Sequence, residues 1–262
     1  MRGRRRPMCV PYDSRPPVPP ITGAAVNSRD LTLSSKDGTK FAAFFAGGGK
    51  PGSPAIVVLP DVRGLFKFYE ELAVRFAERG FDSIAIDYFG RTAGVAKRDE
   101  QFPFQEHVAL TKIDQINADV GAAIAELKKG QGNANRPIFT VGFCFGGSGS
   151  WIQATAGHGI KGAVGFYGHP TRVQRDGTVP VIDRTRDIKA PLLGLMGGAD
   201  QGIPAEEVNK FTAALKAANK PHEFHVYAGA PHSFFDRRFA DFKRECDDAW
   251  SKILTFIEKN SR

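Results

Sequence analysis

The sequence predicts an α/β fold in which helices cover both faces of a mostly parallel sheet of about eight strands. Short, mostly apolar segments recur along the chain, and amphipathic stretches separate them. This alternation of strand and helix is typical of a parallel sheet that is buried on both sides. With 262 residues, of which 42% are hydrophobic and 24% charged, the chain can form one domain with a large core.

The first element is predicted to be an extended arm over residues 1–25, which is rich in proline and arginine. Its segment PYDSRPPVPP contains five prolines, and proline is excluded from helix interiors and central strands. The α/β domain is predicted to occupy residues 26–262. It opens with DLTLSS and KFAAFFA on either side of Gly38, a pattern that indicates a β-hairpin.

Six further strands are predicted to follow, in the order AIVVLP, DSIAIDY, IFTVGF, GAVGFYG, PLLGLMGG and HEFHVYA. Because most of them are unbroken apolar runs, we expect both faces of the sheet to be buried. The stretches between them have apolar residues at helical spacing. Helices are therefore predicted near residues 67–79, 107–129, 147–157, 204–219 and 238–259.

The net charge of +8 is concentrated at the start of the chain. Half of it comes from residues 1–20, which hold five arginines and one aspartate. The remaining body is only mildly basic, which does not indicate a polyanionic partner. We therefore expect neither a nucleic acid nor a membrane as partner. Anion or nucleic-acid binding by the arginine-rich start remains an open alternative.

The three cysteines, Cys9, Cys144 and Cys246, are odd in number and lack CxxC spacing. This pattern predicts neither a disulfide framework nor a zinc site. The N-terminal arginines are not followed by the apolar segment of a signal peptide, and no run approaches the ~18 apolar residues of a membrane span. The sequence therefore favours a protein of the reducing cytoplasm that does not cross a membrane.

Three reactive residues follow predicted strands. Cys144 follows IFTVGF, Asp200 follows PLLGLMGGA, and His232 follows HVYAGAP. Ligands of open α/β sheets bind beyond the carboxyl ends of the strands, and the order of nucleophile, acid and histidine is that of the α/β-hydrolases. A thiol needs an imidazole to accept its proton, and the imidazole needs a carboxylate to fix its tautomer. These three residues can fill those roles.

The residues around Cys144 are suited to a nucleophile. Gly142 and Gly146 allow a strand to turn sharply into a helix without side-chain clashes, and the helix N-terminus favours a thiolate. An oxyanion hole also requires two backbone amides. We expect these from Phe145, the residue after the cysteine, and from Val62 in the loop that follows AIVVLP.

The segments GFCFGG, MGGADQGIP and PHSF resemble the dienelactone hydrolases, which open cyclic enol-lactones and related esters with a Cys-His-Asp triad. The resemblance runs from about Leu31 to the C-terminus. It implies that Cys144 is the nucleophile, Asp200 the triad acid and His232 the base, with no metal or organic cofactor. The motif DYFGR is similar to a family segment whose arginine, here Arg91, reaches the substrate carboxylate.

Two positions depart from the family pattern. Asp61 stands where the family has a glutamate, so a contact between this carboxylate and the resting thiol is expected to be altered. Four residues after the histidine, where the family can place a second substrate-binding arginine, this chain has Asp236 followed by Arg237 and Arg238. Either Arg237 supplies the guanidinium with a one-residue offset, or the substrate lacks the usual carboxylate.

Some of these side chains also have structural interpretations. Cys9 and Cys246 are expected to be inert, small hydrophobic residues. Asp200 could cap the helix that begins near Ile203, in addition to its triad role. Arg91 could be an ordinary surface charge, and His169, which follows GFYG, could line the pocket.

The sequence thus predicts a hydrolase that opens enol-lactones or activated carboxylic esters through a thioester intermediate. A thiolate is a good leaving group, so the substrate needs a leaving group that departs at least as easily, such as an enolate. The expected partner is a small lactone or ester, and the oligomeric state is left open. A general carboxylesterase or thioesterase on the same fold, and a non-catalytic ligand-binding protein, remain alternatives.

Overall fold

The computed structural model of the chain describes residues 14–262. The predicted arm is therefore described only from Ser14 onward, and both Cys9 and the arginines of residues 2–6 lie outside this range. The N-terminal boundary of the predicted domain, at residue 26, falls one residue before the first strand.

Eight strands form one sheet. Their bounds are β1 (Asn27–Ser34), β2 (Lys40–Gly47), β3 (Ala55–Leu59), β4 (Asp82–Ile86), β5 (Ile138–Phe143), β6 (Gly162–Phe166), β7 (Leu192–Gly197) and β8 (His222–Tyr227). The strands lie in the order β1-β2-β4-β3-β5-β6-β7-β8. The β1–β2 and β2–β4 pairs are antiparallel and all other pairs are parallel, which confirms the predicted hairpin and the mostly parallel sheet.

Burial within the sheet follows the apolar runs except at one edge. Every residue of β3, β5, β6 and β7 is buried. In β8, by contrast, no residue is fully buried. The expectation of burial on both faces is therefore wrong for HEFHVYA, because this strand is the edge of the sheet and has a neighbour on one side only.

Seven α-helices and one 3₁₀-helix lie between and after the strands within residues 14–262. They are α1 (Lys67–Glu78), α2 (Gly90–Ala93), α3 (Phe104–Val108), α4 (Ile113–Leu127), α5 (Phe145–Gln153), the 3₁₀-helix Val181–Asp187, α6 (Ala205–Ala217) and α7 (Lys243–Asn260). Four of the five predicted helices are present as single helices. No helix in the described part of the chain is long and apolar enough to span a bilayer.

The helices form two layers. Phe76 of α1 and Trp250 of α7 pack with their ring centroids 4.8 Å apart. In the other layer, the Gln153 side chain of α5 donates a hydrogen bond to Asn117 of α4 at 2.8 Å. Trp151 of α5 also packs against α6 in that layer. Helices therefore cover both faces of the sheet, as predicted.

The predicted helix over 107–129 is two helices in the structure, α3 and α4. The Thr111 hydroxyl donates a hydrogen bond to the Val108 carbonyl at 2.7 Å, which closes α3. The first amide of α4, that of Ile113, donates to the carboxylate of Asp176 at 2.7 Å. Because Asp176 comes from a distant loop, the sequence around residue 112 does not reveal this helix start.

A buried ion pair joins α2 to α4. The Arg91 guanidinium contacts both carboxylate oxygens of Asp119, with Nη1–Oδ2 at 2.8 Å and Nη2–Oδ1 at 3.0 Å. Its Nε donates to Asp37, in the turn between β1 and β2, at 2.8 Å. The Asp119 side chain is fully buried, and burial raises its pKa against the opposing effect of Arg91. Arg91 thus compensates a charge that has no access to water.

Replacing Arg91 with alanine would leave the Asp119 carboxylate buried without its cation. We expect R91A to lower the free energy of unfolding by about 3 kcal/mol, near the lower end of the values for breaking a buried ion pair, because Asp119 can take up a proton. Urea unfolding followed by circular dichroism measures the change. R244A, an exposed position of α7, is the matched control and should change stability by less than about 0.5 kcal/mol. Equal stability of R91A and R244A would contradict the role of this ion pair.

Candidate active site

Cys144 lies in the tight turn between β5 and α5. Its backbone has φ 55° and ψ −111°, a strained conformation for a residue with a side chain. A Cβ atom on Gly142 would lie 1.8 Å from the Gly146 carbonyl oxygen, and one on Gly146 would lie 2.2 Å from the Leu59 carbonyl oxygen of β3. The glycine spacing of the sequence is therefore a packing requirement of the turn that presents Cys144.

Asp200 and His232 meet beyond the ends of β7 and β8. The distance from His232 Nδ1 to Asp200 Oδ2 is 2.6 Å. The other carboxylate oxygen of Asp200 accepts a hydrogen bond from the Gly202 amide at 2.9 Å, which fixes the carboxylate in its own turn. The first residue of α6 is Ala205, and no side chain caps this helix. Asp200 therefore orients the imidazole and does not cap α6.

The protonation of His232 reflects both of its neighbours. Burial lowers the pKa of the imidazole, but the hydrogen bond with Asp200 and the effect of the neighbouring Cys144 outweigh burial and raise the pKa to about 10. Both neighbours therefore favour the protonated form of the imidazole. A protonated imidazole beside a cysteine favours the thiolate form of the sulfur.

These residues line a cavity of about 760 Å³, within the ~300–1,000 Å³ typical of small-molecule sites. Its wall combines apolar side chains with three arginines and two histidines. Val62, Phe145 and Arg237, all predicted from the sequence, line it together with Cys144 and His232. The wall also contains Tyr167, His169, Arg172, Val173, Arg175 and Ile203.

The amides predicted for the oxyanion hole have no backbone acceptor. Within residues 14–262, neither the Val62 nor the Phe145 amide donates a hydrogen bond to a backbone carbonyl. Phe145 is the first residue of α5, and the first amides of a helix have no intrahelical partner. Both residues lie on the cavity wall with Cys144, so their amides are suitable donors for a developing oxyanion.

The structure does not bring Arg91 or Asp61 to the cavity. Arg91, which was predicted to reach a substrate carboxylate, instead has its guanidinium bound by Asp119 and Asp37 in this structure. Asp61 forms a bidentate ion pair with Arg63, with Nε–Oδ1 at 3.2 Å and Nη2–Oδ2 at 2.8 Å. The Asp61 side chain is only 10% exposed. Asp61, a candidate for contact with the substrate or the resting thiol, is thus bound to Arg63 and is not among the described residues that line the cavity.

Asp236, the second departure from the family pattern, is buried in the loop that carries His232. It accepts hydrogen bonds from the Tyr167 hydroxyl, at 3.2 Å, and from the Arg237 amide. Burial and the nearby Asp61 carboxylate raise the pKa of Asp236 to about 6, against the opposing effect of Arg237. The Tyr167 ring in turn packs against the His232 ring, with centroids 4.8 Å apart. Asp236 is thus connected to His232 through one aromatic side chain.

Sequence reasoning did not identify Tyr167, Arg172 or Arg175 at the cavity. Tyr167 directly follows β6, so its place at the carboxyl end of a buried strand was a usable signal. Arg172 and Arg175 belong to an irregular loop, and no periodicity or motif places them. His169, for which a place in the pocket was one interpretation, does line the cavity. No group of three or more metal-ligating side chains occurs among residues 14–262.

The chain matches one protein family over most of its length. The sequence model of the Dienelactone hydrolase family matches residues 41–261. A protein of Methylorubrum extorquens with the provisional name carboxymethylenebutenolidase is 30% identical over 213 residues, which cover 79% of this chain and 72% of that protein. The carboxymethylenebutenolidase of Pseudomonas putida is 28% identical over 208 residues, which cover 78% of this chain and 84% of that protein.

A solved structure extends the likeness to the fold. The crystal structure of a Klebsiella pneumoniae protein, provisionally named a dienelactone hydrolase, superposes with a TM-score of 0.78 at 26% sequence identity. The superposition covers 89% of this chain and 99% of that chain. The predicted α/β-hydrolase fold is confirmed, and the match over residues 41–261 establishes that the chain belongs to the dienelactone hydrolase family.

Proposed function

We propose that this hydrolase opens enol-lactones or activated carboxylic esters with a triad of Cys144, His232 and Asp200, through a thioester intermediate. Membership of the family makes the chain a hydrolase of lactone or ester substrates. The observation that carries the finer proposal is the hydrogen-bonded pair of Asp200 and His232 at the cavity that Cys144 also lines. The strained backbone of Cys144 supports a reactive role.

In the first half of the reaction, the Cys144 thiolate attacks the carbonyl carbon and forms a C–S bond. The amides of Val62 and Phe145 stabilise the negative charge that develops on the carbonyl oxygen. When the tetrahedral intermediate collapses, the C–O bond to the leaving group breaks. His232 transfers its proton to the departing enolate, and Asp200 keeps the imidazole in the required tautomer.

In the second half, neutral His232 removes a proton from water, which attacks the thioester carbonyl. The thiolate leaves, and the proton that the imidazole took from water restores the starting pair. The same two amides stabilise the second oxyanion. An enol-lactone gives a single keto acid, because its enol stays attached to the acyl chain, whereas an acyclic ester gives a carboxylic acid and a separate alcohol, phenol or ketone. The reaction consumes one water and requires no redox step.

The thiol restricts the substrate through its own leaving ability. In the tetrahedral intermediate, the thiolate competes with the oxygen of the substrate for expulsion. An ordinary alkoxide leaves less readily than a thiolate, whereas an enolate or an aryl oxide leaves at least as readily. Enol-lactones and aryl esters are therefore the substrates that this site favours over alkyl esters and peptides.

The Arg237 guanidinium is our candidate for a substrate carboxylate near the reacting centre. It lines the cavity, and its Nη2 donates to the Ser233 hydroxyl at 3.0 Å. The backbone amide of the same residue binds Asp236. Asp236 therefore positions both the histidine, through Tyr167, and the arginine, through the chain itself.

Replacement of Cys144 tests the nucleophile. C144A should lower kcat for a dienelactone or for p-nitrophenyl acetate by at least ~10⁴-fold, as expected for loss of a triad nucleophile. Rapid quenching of the wild-type reaction should give an acetyl adduct on Cys144 by peptide mass spectrometry. C246A, which changes a buried cysteine of α7, is the matched control and should keep both turnover and the adduct. Unchanged hydrolysis by folded C144A would sink the assignment.

The same assay separates this proposal from a general carboxylesterase. The preferred substrates should be the enol-lactone and the aryl ester. The kcat/KM of an ethyl ester of the same acyl group should be lower by at least about 100-fold, because the alkoxide leaves less readily than the thiolate. Comparable values for the ethyl and aryl esters would instead indicate a general esterase.

The coupling between Cys144 and His232 can be measured by the titration of the imidazole. In C144S, a neutral hydroxyl replaces the thiolate that helps to raise the pKa of His232. We therefore expect the pKa of His232 to fall below its wild-type value of about 10, while Asp200 retains its own contribution. NMR of labelled histidine rings follows the titration, and His158, whose pKa is lowered by burial, is an internal control. An identical His232 pKa in the two proteins would disprove the coupling.

The pKa of Asp236 makes a prediction about stability. Because its pKa is about 6 in the folded protein and 3.8 otherwise, folding opposes ionisation, and the penalty develops as pH rises from about 4 to about 6. We expect D236N to gain up to about 3 kcal/mol relative to the wild type between pH 4 and pH 8. Urea unfolding at several pH values measures this gain. D183N, on an exposed position of the 3₁₀-helix, should show little change, and a pH-independent difference for D236N would contradict the prediction.

A further inference from the structure

The loop after β6 supplies a charged wall of the cavity. We call residues 168–180 the arginine loop. It contributes His169, Arg172, Val173, Gln174 and Arg175 to the lining. Its two arginines are two of the three lysine or arginine side chains among the described lining residues, and Arg237 is the third.

Contacts to three helices hold the arginine loop in place. At its start, the Ser148 hydroxyl of α5 accepts a hydrogen bond from the His169 amide at 2.7 Å. The Thr171 hydroxyl donates to Glu207 of α6. Near its far end, Asp176 accepts hydrogen bonds from the first amide of α4, at 2.7 Å, and from the Thr178 amide, at 2.9 Å. These hydrogen bonds to α5, α6 and α4 hold the arginine loop against the cavity.

The nearby acids are engaged elsewhere. Asp200 is bound to His232, Asp176 to backbone amides, and Glu207 to Thr171. No ion pair between a carboxylate and either arginine of the loop occurs within residues 14–262. Arg172 and Arg175 are both exposed to solvent, and Arg172 adds to the effect of burial in lowering the pKa of His169. Arg172 and Arg175 are therefore available to bind an anionic group of a molecule in the cavity.

The cavity is large enough for a molecule longer than a single-ring lactone. A single-ring lactone has about ten heavy atoms, whereas cavities of about 760 Å³ are typical of drug-sized ligands. Apolar side chains, including Val173 and Ile203, contribute to the wall together with the charged groups. Such a wall suits a substrate with an apolar stem that ends in an anionic group.

We propose that Arg172 and Arg175 bind a carboxylate at the end of the substrate remote from the scissile carbonyl, so that the preferred substrates are extended esters or lactones with a terminal acid. Guanidinium groups bind carboxylates through paired, charge-assisted hydrogen bonds. This inference rests on the proposed function of Cys144, and it assigns the specificity for the far end of the substrate to the arginine loop. Arg237 remains the candidate for a group close to the reacting carbonyl.

Matched aryl esters test the inference. The probes are the mono-p-nitrophenyl esters of adipic and suberic acid, compared with p-nitrophenyl hexanoate and octanoate, which have the same acyl lengths without the terminal charge. For the wild type we expect a higher kcat/KM for the carboxylated ester of each pair. The double variant R172Q/R175Q should lose about 10-fold for the carboxylated esters, mostly in KM, and change less than about 2-fold for the neutral ones.

Two further variants make the result specific. R186Q changes an exposed arginine of the 3₁₀-helix outside the cavity and should behave as the wild type with all four esters. R237Q identifies any contribution from near the reacting centre. Equal loss for neutral and carboxylated esters in R172Q/R175Q, or a preference for carboxylated esters that disappears only in R237Q, would overturn the proposal.

Failure of the underlying function gives a different result. If wild-type protein hydrolyses none of the four esters and forms no adduct on Cys144, the catalytic assignment itself fails. If the neutral esters turn over at Cys144 while the carboxylated esters have no advantage, catalysis stands and the proposed role of the arginine loop is wrong.

Discussion

The backbone contacts beneath Cys144 are the constraint on which the site depends. The start of α5 approaches two strands so closely that a Cβ atom on Gly146 would overlap β3, and one on Gly147 would lie 2.5 Å from the Phe166 carbonyl oxygen of β6. This approach fixes the thiol and the Phe145 amide relative to the carboxyl edge of the sheet. Because β6, β7 and β8 continue the sheet in parallel from β5, the turns after them lie along the same edge. Asp200 follows β7 and His232 belongs to the loop after β8, so both lie at the same edge of the sheet as the thiol.

The orientation of the histidine depends on a second set of contacts. The loop after β8 is held by Asp236, which binds the Tyr167 hydroxyl and the Arg237 amide. Both Tyr167 and Ser233 have positive φ angles, and such strain persists only where the surrounding contacts determine the conformation. Burying the Asp236 carboxylate in this loop is energetically unfavourable, because the charged form loses its contact with water. The raised pKa of Asp236 shows that holding this carboxylate in the folded protein costs free energy when it is ionised.

The sequence was sufficient for features that depend on local pattern. Most of the eight strands could be predicted from apolar runs. Cys144, Asp200 and His232 could be identified because each comes shortly after one of these strands. It was insufficient wherever a side chain has a partner far away in the chain. Arg91 stands in a motif that resembles a substrate-binding segment, yet Asp119, 28 residues later, captures its guanidinium. The division between α3 and α4 similarly depends on Asp176, 63 residues from the amide that it binds. Such pairings are decided by the packed fold and leave no periodic signal.

The distribution of charge around Cys144 explains how acids are tolerated next to a site that favours a thiolate. Asp61 and Asp236 lie close enough to the buried tyrosines to raise their pKa values in addition to the effect of burial, and two free carboxylates there would oppose a second anion. Arg63 neutralises Asp61 through a bidentate ion pair, and burial together with Asp61 shifts Asp236 toward its neutral form. On the cavity side, His232 and the arginines supply positive charge. These positively charged groups favour negative charge on a molecule bound in the cavity.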